Sequence, residues 1–207
     1  FIDCGGVAMH KSVNSKHRQE RDETLGRVIG SNLLSLLKIF LACFVLVYLT
    51  INFAVRPIHV SGQSMFPTIE EGDFALSNAF SAKFQEIERG DIVIAYENKQ
   101  MHRMIIKRVI GLPGDRISCK DDKVYVNDKA LDEPYLDNEW ANAIRDTVDA
   151  FTEDFTEVCL QEDEYWLMGD NRINSRDSRD FGPFKRSQIK GKDALVIFPF
   201  HKIHIPK

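Results

Sequence analysis

A serine in a turn and a lysine in an apolar run are the residues of this sequence best suited to nucleophilic catalysis. Ser64 lies in Ser61–Thr68 (SGQSMFPT), between a predicted strand and a turn directed by Pro67, where a side chain can be both rigid and exposed. Lys107 lies within Met104–Ile110, and burial lowers the pKa of an amine below its ordinary value of about 10.4. A neutral Lys107 within reach of Ser64 would accept the hydroxyl proton.

Both residues also have an ordinary structural interpretation. Ser64 fits a turn serine, and Lys107 fits a strand lysine that points to water while Arg108 is buried or paired instead. A histidine base is not favoured, although folding does not exclude one. His59 is separated from Ser64 by an odd number of residues, which places the two on opposite faces of one continuous strand, and the same parity separates His102 from Lys107.

A third segment, Gly169–Gly182 (GDNRINSRDSRDFG), is dense in polar groups. It lies between the apolar residues Tyr165–Met168 and Phe184. A polar loop against an apolar wall often organises a site through hydrogen bonds, although a solvated loop has the same composition.

The N-terminal quarter of the chain contains an uncharged apolar run, Ile39–Val55. With Leu33–Lys38 it becomes long enough to cross a hydrocarbon core, so we predict a transmembrane anchor over 33–55. A buried core helix and a cleaved signal peptide are the alternatives, but the run has no polar stripe and no A-x-A-like site follows it. Basic residues concentrate before the run, which predicts a cytoplasmic segment over 1–32 and an extracytoplasmic domain over 56–207.

Composition limits the classes of partner. The 207 residues carry a net charge of −4, which divides into +3 over residues 1–56 and −7 over the rest. An acidic main domain argues against a nucleic-acid partner. The sequence has no CxxC pair, and His201 and His204 have no accompanying ligands, so we predict no metal site.

The fold class predicted for the main domain is mainly β, because short apolar runs alternate with turn residues as in antiparallel sheets. The predicted strands are Ile58–Val60, Phe74–Leu76, Asp91–Tyr96, Met104–Ile110, Val124–Val126, Tyr165–Met168 and Ala194–Phe198. One helix is predicted between Asn138 and Phe151, with Trp140, Ile144, Val148 and Phe151 on one face.

The three polar or catalytic segments together resemble the bacterial type I signal peptidase (leader peptidase) family. S-G-x-S-M-x-P-T surrounds Ser64, K-R-V-x-G-L-P-G-D begins at Lys107, and G-D-N-R-x-x-S-x-D-S-R begins at Gly169, in the family's order. The R-G-D-I-V segment Arg89–Val93 also matches. The resemblance runs from the anchor to about Phe200, and three motifs in order after one N-terminal anchor are highly specific.

The resemblance implies a mechanism based on a serine–lysine dyad. Ser64 would attack the scissile carbonyl at the end of a signal peptide, and Lys107 would take its proton and later activate the deacylating water. Ser175 would hydrogen-bond the Lys107 amine. Asp177 and Arg179 would form a supporting ion pair. The backbone N–H of Ser64 would contribute to the oxyanion hole.

The resemblance also implies the substrate, the location and the overall architecture. Signal peptides of preproteins would be cut after small residues at −1 and −3, without metal or cofactor, by a single-pass protein of the cytoplasmic membrane whose catalytic domain lies outside. The β-rich catalytic core would carry an inserted β region at about 118–164. The residues matching the family's shallow substrate pockets are Ile58, Val60, Met65, Ile69, Ile105 and Ile106.

Gly62 stands where some family members have a serine whose hydroxyl completes the oxyanion hole, so this chain resembles the Gram-positive forms. If Ser61–Ser64 is extended, Ser61 points away from the face of Ser64 and cannot replace that hydroxyl. The resemblance also implies that Gly62→Ser is tolerated, because the family accommodates a hydroxyl at that position. Cys119 and Cys159 flank the inserted region, and a disulfide between them is one expectation, two free thiols the other.

Two other functions fit parts of the sequence. A self-cleaving repressor-type protease would use the same Ser–Lys chemistry, but that class is soluble and carries a DNA-binding or dimerising N-terminal part. A catalytically dead membrane adaptor would not need Ser64, Lys107 and Ser175 together. The apolar run argues against the first alternative, and the complete set of catalytic residues argues against the second.

Overall fold

The computed structural model describes residues 32–49, 55–97 and 103–206. The chain divides into two compact units, Phe1–Thr50 and Ile51–Lys207. The predicted cytoplasmic segment, apart from Asn32, lies outside the described residues, as does His102.

The described part of the first unit is one helix, α1 (Asn32–Leu49). It has 18 residues with a mean hydropathy of 2.2, and none of it is buried. At about 1.5 Å per residue it is about 27 Å long, close to the thickness of a hydrocarbon core. Its length and composition are therefore sufficient to cross a membrane. Val55, where the predicted anchor ends, is already part of the first strand.

The second unit contains two antiparallel sheets, which confirms the mainly β prediction. The larger has the order β1-β2-β11-β3-β4-β9-β10 and the smaller the order β7-β6-β5-β8. In chain order the strands are β1 (Val55–His59), β2 (Phe74–Asn78), β3 (Ile92–Tyr96), β4 (Met104–Gly111), β5 (Arg116–Lys120), β6 (Lys123–Val126), β7 (Lys129–Ala130), β8 (Phe155–Cys159), β9 (Glu164–Met168), β10 (Phe184–Lys185) and β11 (Ile189–Phe198).

Most of the smaller sheet lies within the region predicted as an insertion at about 118–164, although β5 begins at Arg116, and of its strands only β6 was predicted. β5 and β8 were missed because each is partly exposed and neither contains an apolar run. An alternation of apolar and polar residues was present in β5, where Ile117 and Cys119 are buried between exposed neighbours.

Three short helices accompany the sheets: α2 (Ala79–Phe84), α3 (Glu139–Arg145) and α4 (Ser178–Phe181). The predicted helix extended to Phe151, but α3 ends at Arg145 and Val148 is exposed. Phe151 is buried because the chain turns back after α3 and packs its ring edge-on against Trp140 at 5.8 Å. The helical spacing of the apolar residues was therefore correct only for the first two turns.

Strand β9 joins the cores of the two sheets. Its side chains alternate, so that Tyr165 and Leu167 belong to the core of the larger sheet, while Trp166 and Met168 pack with Ile117 in the core of the smaller one. Because the polar segment that begins at Gly169 continues directly from β9, it starts from a strand buried on both faces.

The disulfide expected between Cys119 and Cys159 is not formed. Both thiols are free, and Cys119 is buried whereas Cys159 is exposed. In the pairing of β5 with β8, Cys119 stands opposite Phe155 and Cys159 opposite Arg116, so the two side chains are offset along the strands. Burial raises the pKa of the Cys119 thiol to about 11, and its sulfur contacts the carbonyl of Thr152 at 3.7 Å.

Candidate active site

Ser64 lies in a turn rather than at the end of an extended strand. Strand β1 ends at His59, and Gly62 has a φ of +96°, a left-handed conformation that glycine adopts readily and other residues do not. The amide of Phe66 donates to the carbonyl of Gln63 at 3.1 Å and closes the turn around Ser64. The prediction that His59 and Ser61 point away from Ser64 assumed one extended strand, and that assumption is wrong. A serine at position 62 would have a strained backbone.

Lys107 reaches Ser64 directly. Its Nζ lies 2.6 Å from Ser64 Oγ, within hydrogen-bonding distance. Lys107 is only 3% exposed, because β4 is an inner strand of the larger sheet and pairs with β3 at Val93. The structure thus brings together the two residues that the sequence singled out for nucleophilic catalysis.

The buried environment shifts the pKa of Lys107 from 10.5 to about 8. Burial of the amine is the main cause, because the charged form loses its hydration. Asp177 and Asp170 raise the pKa and Arg179 and Arg103 lower it, so the charges around the amine partly cancel. At neutral pH about a tenth of the amines are then neutral, compared with about one in a few thousand for free lysine.

Behind this pair lies the ion pair of Asp177 and Arg179, which the resemblance predicted. Asp177 is fully buried, and its two carboxylate oxygens accept hydrogen bonds from the Nε and Nη2 of Arg179, each at 3.0 Å. Burial would raise the pKa of this carboxyl, but Arg179 and the hydrogen bonds from Gly169 and Ser175 lower it below its ordinary value. Asp177 therefore stays ionised and holds a fixed negative charge near Lys107.

Ser175 lies at this site but not in the expected hydrogen bond. Its Oγ donates to Asp177 Oδ2 at 2.7 Å, and within the described residues no hydrogen bond joins it to Lys107. The predicted contact between Ser175 and the amine is therefore replaced by a contact with the carboxylate that faces the amine.

The turn that follows β9 holds the nucleophile segment in place. The amide of Asn171 donates to the carbonyl of Ser64 at 3.1 Å, and its side-chain Nδ2 donates to the carbonyl of Gln63 at 3.0 Å. Gly169 has no room for a side chain, since a Cβ there would overlap the Ser64 carbonyl and the Ser175 hydroxyl. Sequence analysis marked this loop as polar but did not identify Asn171 as the residue that contacts the nucleophile.

Arg108, next to Lys107 on β4, fixes the same turn from the other face of the strand. Its Nε and Nη2 bind both oxygens of Asp170 at 2.8 and 2.7 Å, and the two side chains are almost fully buried. Asp170 also accepts a hydrogen bond from the hydroxyl of Thr68, in the nucleophile segment. The sequence left open whether Lys107 or Arg108 is the buried residue of this strand, and in the structure both are buried.

A groove of about 600 Å³ runs past Ser64. Five of the six residues predicted to bind substrate line it: Ile58, Val60, Met65, Ile105 and Ile106. Ile69 does not, since it is fully buried in the core beside Val60 and Met65. Sequence analysis missed several lining residues whose positions depend on the fold: Ile94, Glu97, Arg103, Asn174, Arg176 and Phe181.

The backbone N–H of Ser64 is available to a substrate. Within the described residues, the Ser64 amide donates no hydrogen bond, although its carbonyl is bound by Asn171. His59 is exposed and lines the groove, and its ring contacts Phe74 rather than Ser64. Among the described residues no group of three or more His, Cys, Asp or Glu side chains is arranged to hold a metal ion.

An antiparallel β fold with a serine–lysine pair in a groove lined by both apolar and polar side chains defines a candidate peptidase. The family model described as signal peptidase, peptidase S26, matches residues 33–198. Signal peptidase I S of Bacillus subtilis (strain 168) is 39% identical over 167 residues, 80% of this chain and 89% of that protein. Signal peptidase I of Bacillus amyloliquefaciens is 36% identical over 191 residues, 92% of this chain and 100% of that protein.

Among solved structures, that of a signal peptidase I from Enterococcus faecalis V583 is 32% identical, with a TM-score of 0.45. The match covers 52% of this chain and 96% of that chain. By the family match and the curated relatives, the chain belongs to the signal peptidase I family and is a serine endopeptidase. The predicted resemblance is confirmed.

We expect Gly169→Ala to lower turnover at least about tenfold, because the added Cβ must displace the Ser64 carbonyl or Ser175, and small misplacements of reacting groups are costly. Overpacking should also lower the free energy of unfolding by about 1–3 kcal/mol. Gly111→Ala is the matched control, since its Cβ would overlap Leu160 and Ile117 in the core of the smaller sheet, outside the groove lining, and it should keep wild-type turnover per folded molecule. Wild-type turnover per folded molecule in Gly169→Ala would show that Gly169 is not needed for the geometry of Ser64.

The rate of substrate cleavage should depend on pH through Lys107. Because the neutral amine is the reactive form and its pKa is about 8, kcat/KM should rise tenfold per pH unit below that value and level off above it. Initial rates from pH 6 to pH 10.5, with circular dichroism to confirm folding, would measure this. A rate that still climbs steeply through about pH 10 would contradict the assignment of Lys107 as a desolvated base.

Proposed function

We propose that this protein removes signal peptides from secreted preproteins by Ser–Lys dyad catalysis while anchored in the cytoplasmic membrane. The observation that carries the proposal is the 2.6 Å contact between Lys107 Nζ and Ser64 Oγ, at an amine whose pKa is lowered by burial. Family membership supports signal peptides as the substrate class.

Acylation begins when the neutral amine of Lys107 accepts the proton of the Ser64 hydroxyl. The Ser64 Oγ forms a bond to the scissile carbonyl carbon, and negative charge develops on the carbonyl oxygen. The free backbone N–H of Ser64 stabilises this charge, together with any other donor that the bound substrate completes. The ammonium of Lys107 then gives its proton to the leaving amine as the peptide C–N bond breaks, which leaves an ester between Ser64 and the signal peptide.

Deacylation repeats the same proton transfers with water. The amine of Lys107, neutral again, takes a proton from a water molecule that attacks the ester carbonyl. When the C–O bond to Ser64 breaks, the ammonium returns its proton to Ser64 Oγ, and the enzyme is restored. Asp177 stabilises the transient charge on Lys107, and Arg179 keeps Asp177 ionised, while burial of the amine prevents it from staying protonated.

The groove supports cleavage after small residues. The apolar side chains of Val60, Met65 and Ile106 are among those that line it. A substrate strand lying along β1 would place alternate side chains towards the wall, which matches selection at −1 and −3. Ile58 and Ile105 add further apolar side chains to the lining, which suits the apolar part of a signal peptide.

The proposed location follows from α1 and the charges that precede it. A helix with a mean hydropathy of 2.2 supports a membrane anchor, and the excess of Lys and Arg over residues 1–32 supports a cytoplasmic N-terminus. A single span then puts the catalytic domain on the extracytoplasmic side, where preproteins emerge. Protease accessibility of residues 56–207 in sealed spheroplasts would test this orientation.

Replacing either member of the dyad should abolish cleavage of a preprotein with an A-x-A signal sequence. Ser64→Ala removes the nucleophile and Lys107→Ala the base, and we expect turnover to fall at least about 1,000-fold in each. Lys107→Arg should fail as well, because arginine is not deprotonated in proteins. Gel analysis of cleavage in detergent micelles is the measurement.

Lys192→Met provides the control for loss of a buried strand lysine. Lys192 lies on β11, is 8% exposed and pairs with Asp91 at 2.9 Å, so it is similar in burial but outside the groove lining. The turnover of the preprotein by Lys192→Met should be within about threefold of the wild-type value. Near-normal turnover in either Ser64→Ala or Lys107→Ala would refute the dyad.

A further inference from the structure

A short segment of the region between the two sheets, Glu133–Tyr135, lies between the two buried arginines that hold the turn after β9. Arg108 stacks over the ring of Tyr135, 3.9 Å from its centroid. Arg172 binds the Glu133 carboxylate and the Tyr135 hydroxyl. The segment belongs to neither the nucleophile motif nor the groove lining. The chemistry of Ser64 and Lys107 therefore gives no reason for its contacts with the arginines that hold the turn after β9.

Arg172 is a buried charge that depends on Glu133. Its side chain is 0% exposed and that of Glu133 is 12% exposed. Both Nη atoms of Arg172 bind the two Glu133 oxygens, and Nη1 also contacts Thr152 Oγ1 at 3.3 Å. Burial would lower the pKa of Arg172, but Glu133 and Tyr135 raise it above its ordinary value. Glu133 is the only carboxylate in direct contact with this guanidinium among the described residues.

Arg172 in turn fixes the backbone of the turn. Its Nε donates to the carbonyl of Gly169 at 3.0 Å. Gly169 lies so close to the Ser64 carbonyl and to Ser175 that a side chain would not fit there, and its amide donates to Asp177 at 2.9 Å. Any shift of Arg172 is therefore passed to the peptide groups that contact the nucleophile and the counter-charge of Lys107.

Tyr135 provides a second route to the same turn. Its ring packs under Arg108, which binds both oxygens of Asp170, and its hydroxyl donates to Glu133. Because the ring lies against one arginine and the hydroxyl contacts the other, the segment fixes the distance between Arg108 and Arg172. The polar network is continuous from Glu133 to the turn, and such networks hold their members in one arrangement when every group is satisfied.

We propose that Glu133 is a positioning residue for catalysis, acting through Arg172 on the Gly169–Asn171 turn that holds Ser64 in reach of Lys107. The proposal rests on the proposed function for its kinetic readout. It assigns to the inserted region a role in positioning the catalytic residues.

Glu133→Gln is the decisive variant, because it keeps the size of the side chain and removes the charge that neutralises Arg172. We expect kcat for preprotein cleavage to fall about tenfold to 100-fold, since displacements of about 1 Å have effects of this size. KM should stay within about twofold, because the groove-lining residues are untouched. Kinetics should be measured on the full chain in detergent micelles, with kcat expressed per molecule folded by circular dichroism.

Glu157→Gln, on β8 in the same inserted region, is the control for loss of a carboxylate charge. Glu157 pairs with Arg116 at 3.5 Å, and its side chain is 46% exposed. It should retain wild-type kcat and KM. A Glu133→Gln enzyme with wild-type kcat per folded molecule, or with an increase in KM alone, would overturn the proposal and leave Glu133 a structural residue.

Two further variants keep the test decisive if Glu133→Gln folds poorly. Tyr135→Phe keeps the ring over Arg108 and removes only the hydroxyl shared by Glu133 and Arg172, so a smaller fall in kcat, about threefold to tenfold, is expected. In an Arg172→Met background, adding Glu133→Gln should change kcat by less than about twofold, because Glu133 acts through Arg172. Independent effects of the two substitutions would contradict this route.

Hydrogen exchange separates failure of this proposal from failure of the proposed function. The amides of Gly169 and Asn171 donate to Asp177 and Ser64, so their protection reports the order of the turn without any substrate. Exchange in the peptide containing residues 169–172 should be faster in Glu133→Gln than in wild type and unchanged in Glu157→Gln. Unchanged exchange in Glu133→Gln would overturn the positioning proposal, whether or not any preprotein is cleaved. Wild-type protein that cleaves no preprotein would contradict the proposed function alone.

Discussion

The hydrogen bond between a desolvated lysine and a serine is the interaction on which the rest of the site depends. Lys107 lies 2.6 Å from Ser64 and is 3% exposed, and its burial lowers its pKa to about 8. This burial has a cost for the fold. Between about pH 10.4 and pH 8 the unfolded chain binds the proton more tightly than the folded one, so stability falls as the pH drops through that window, by on the order of 3 kcal/mol, and is constant below it.

Fixed polar contacts around the pair offset that cost and prevent the amine from escaping to water. Asp177 keeps its charge because Arg179 binds it, and Asp170 is neutralised by Arg108. These buried groups are satisfied by one another rather than by solvent, so the wall behind Lys107 has one arrangement instead of many. The loops that bear Ser64 are held to this wall by the two hydrogen bonds of Asn171.

From the sequence, the chemistry and the fold class could be predicted, whereas many contacts between side chains in the site could not. The apolar run around Lys107 left its burial open, the resemblance to a family assigned it as the base, and the alternating runs identified most strands of the larger sheet. The turn conformation of Gly62, the hydrogen bond of Ser175 to Asp177 and the burial of Ile69 could not be predicted, because each depends on how distant segments pack. For the same reason Glu133 gave no signal, since its partner Arg172 is 39 residues away and only the fold brings them together.

A direct titration of Lys107 tests the central claim most closely. The ¹³Cε and ¹⁵Nζ resonances of lysine report protonation, and the resonance missing from a Lys107→Arg spectrum identifies the residue in the full chain in micelles. A transition midpoint near pH 8 is expected from its burial. A midpoint near the free-lysine value of about 10.4 would mean that the amine stays hydrated and charged at neutral pH, which would contradict its role as the base.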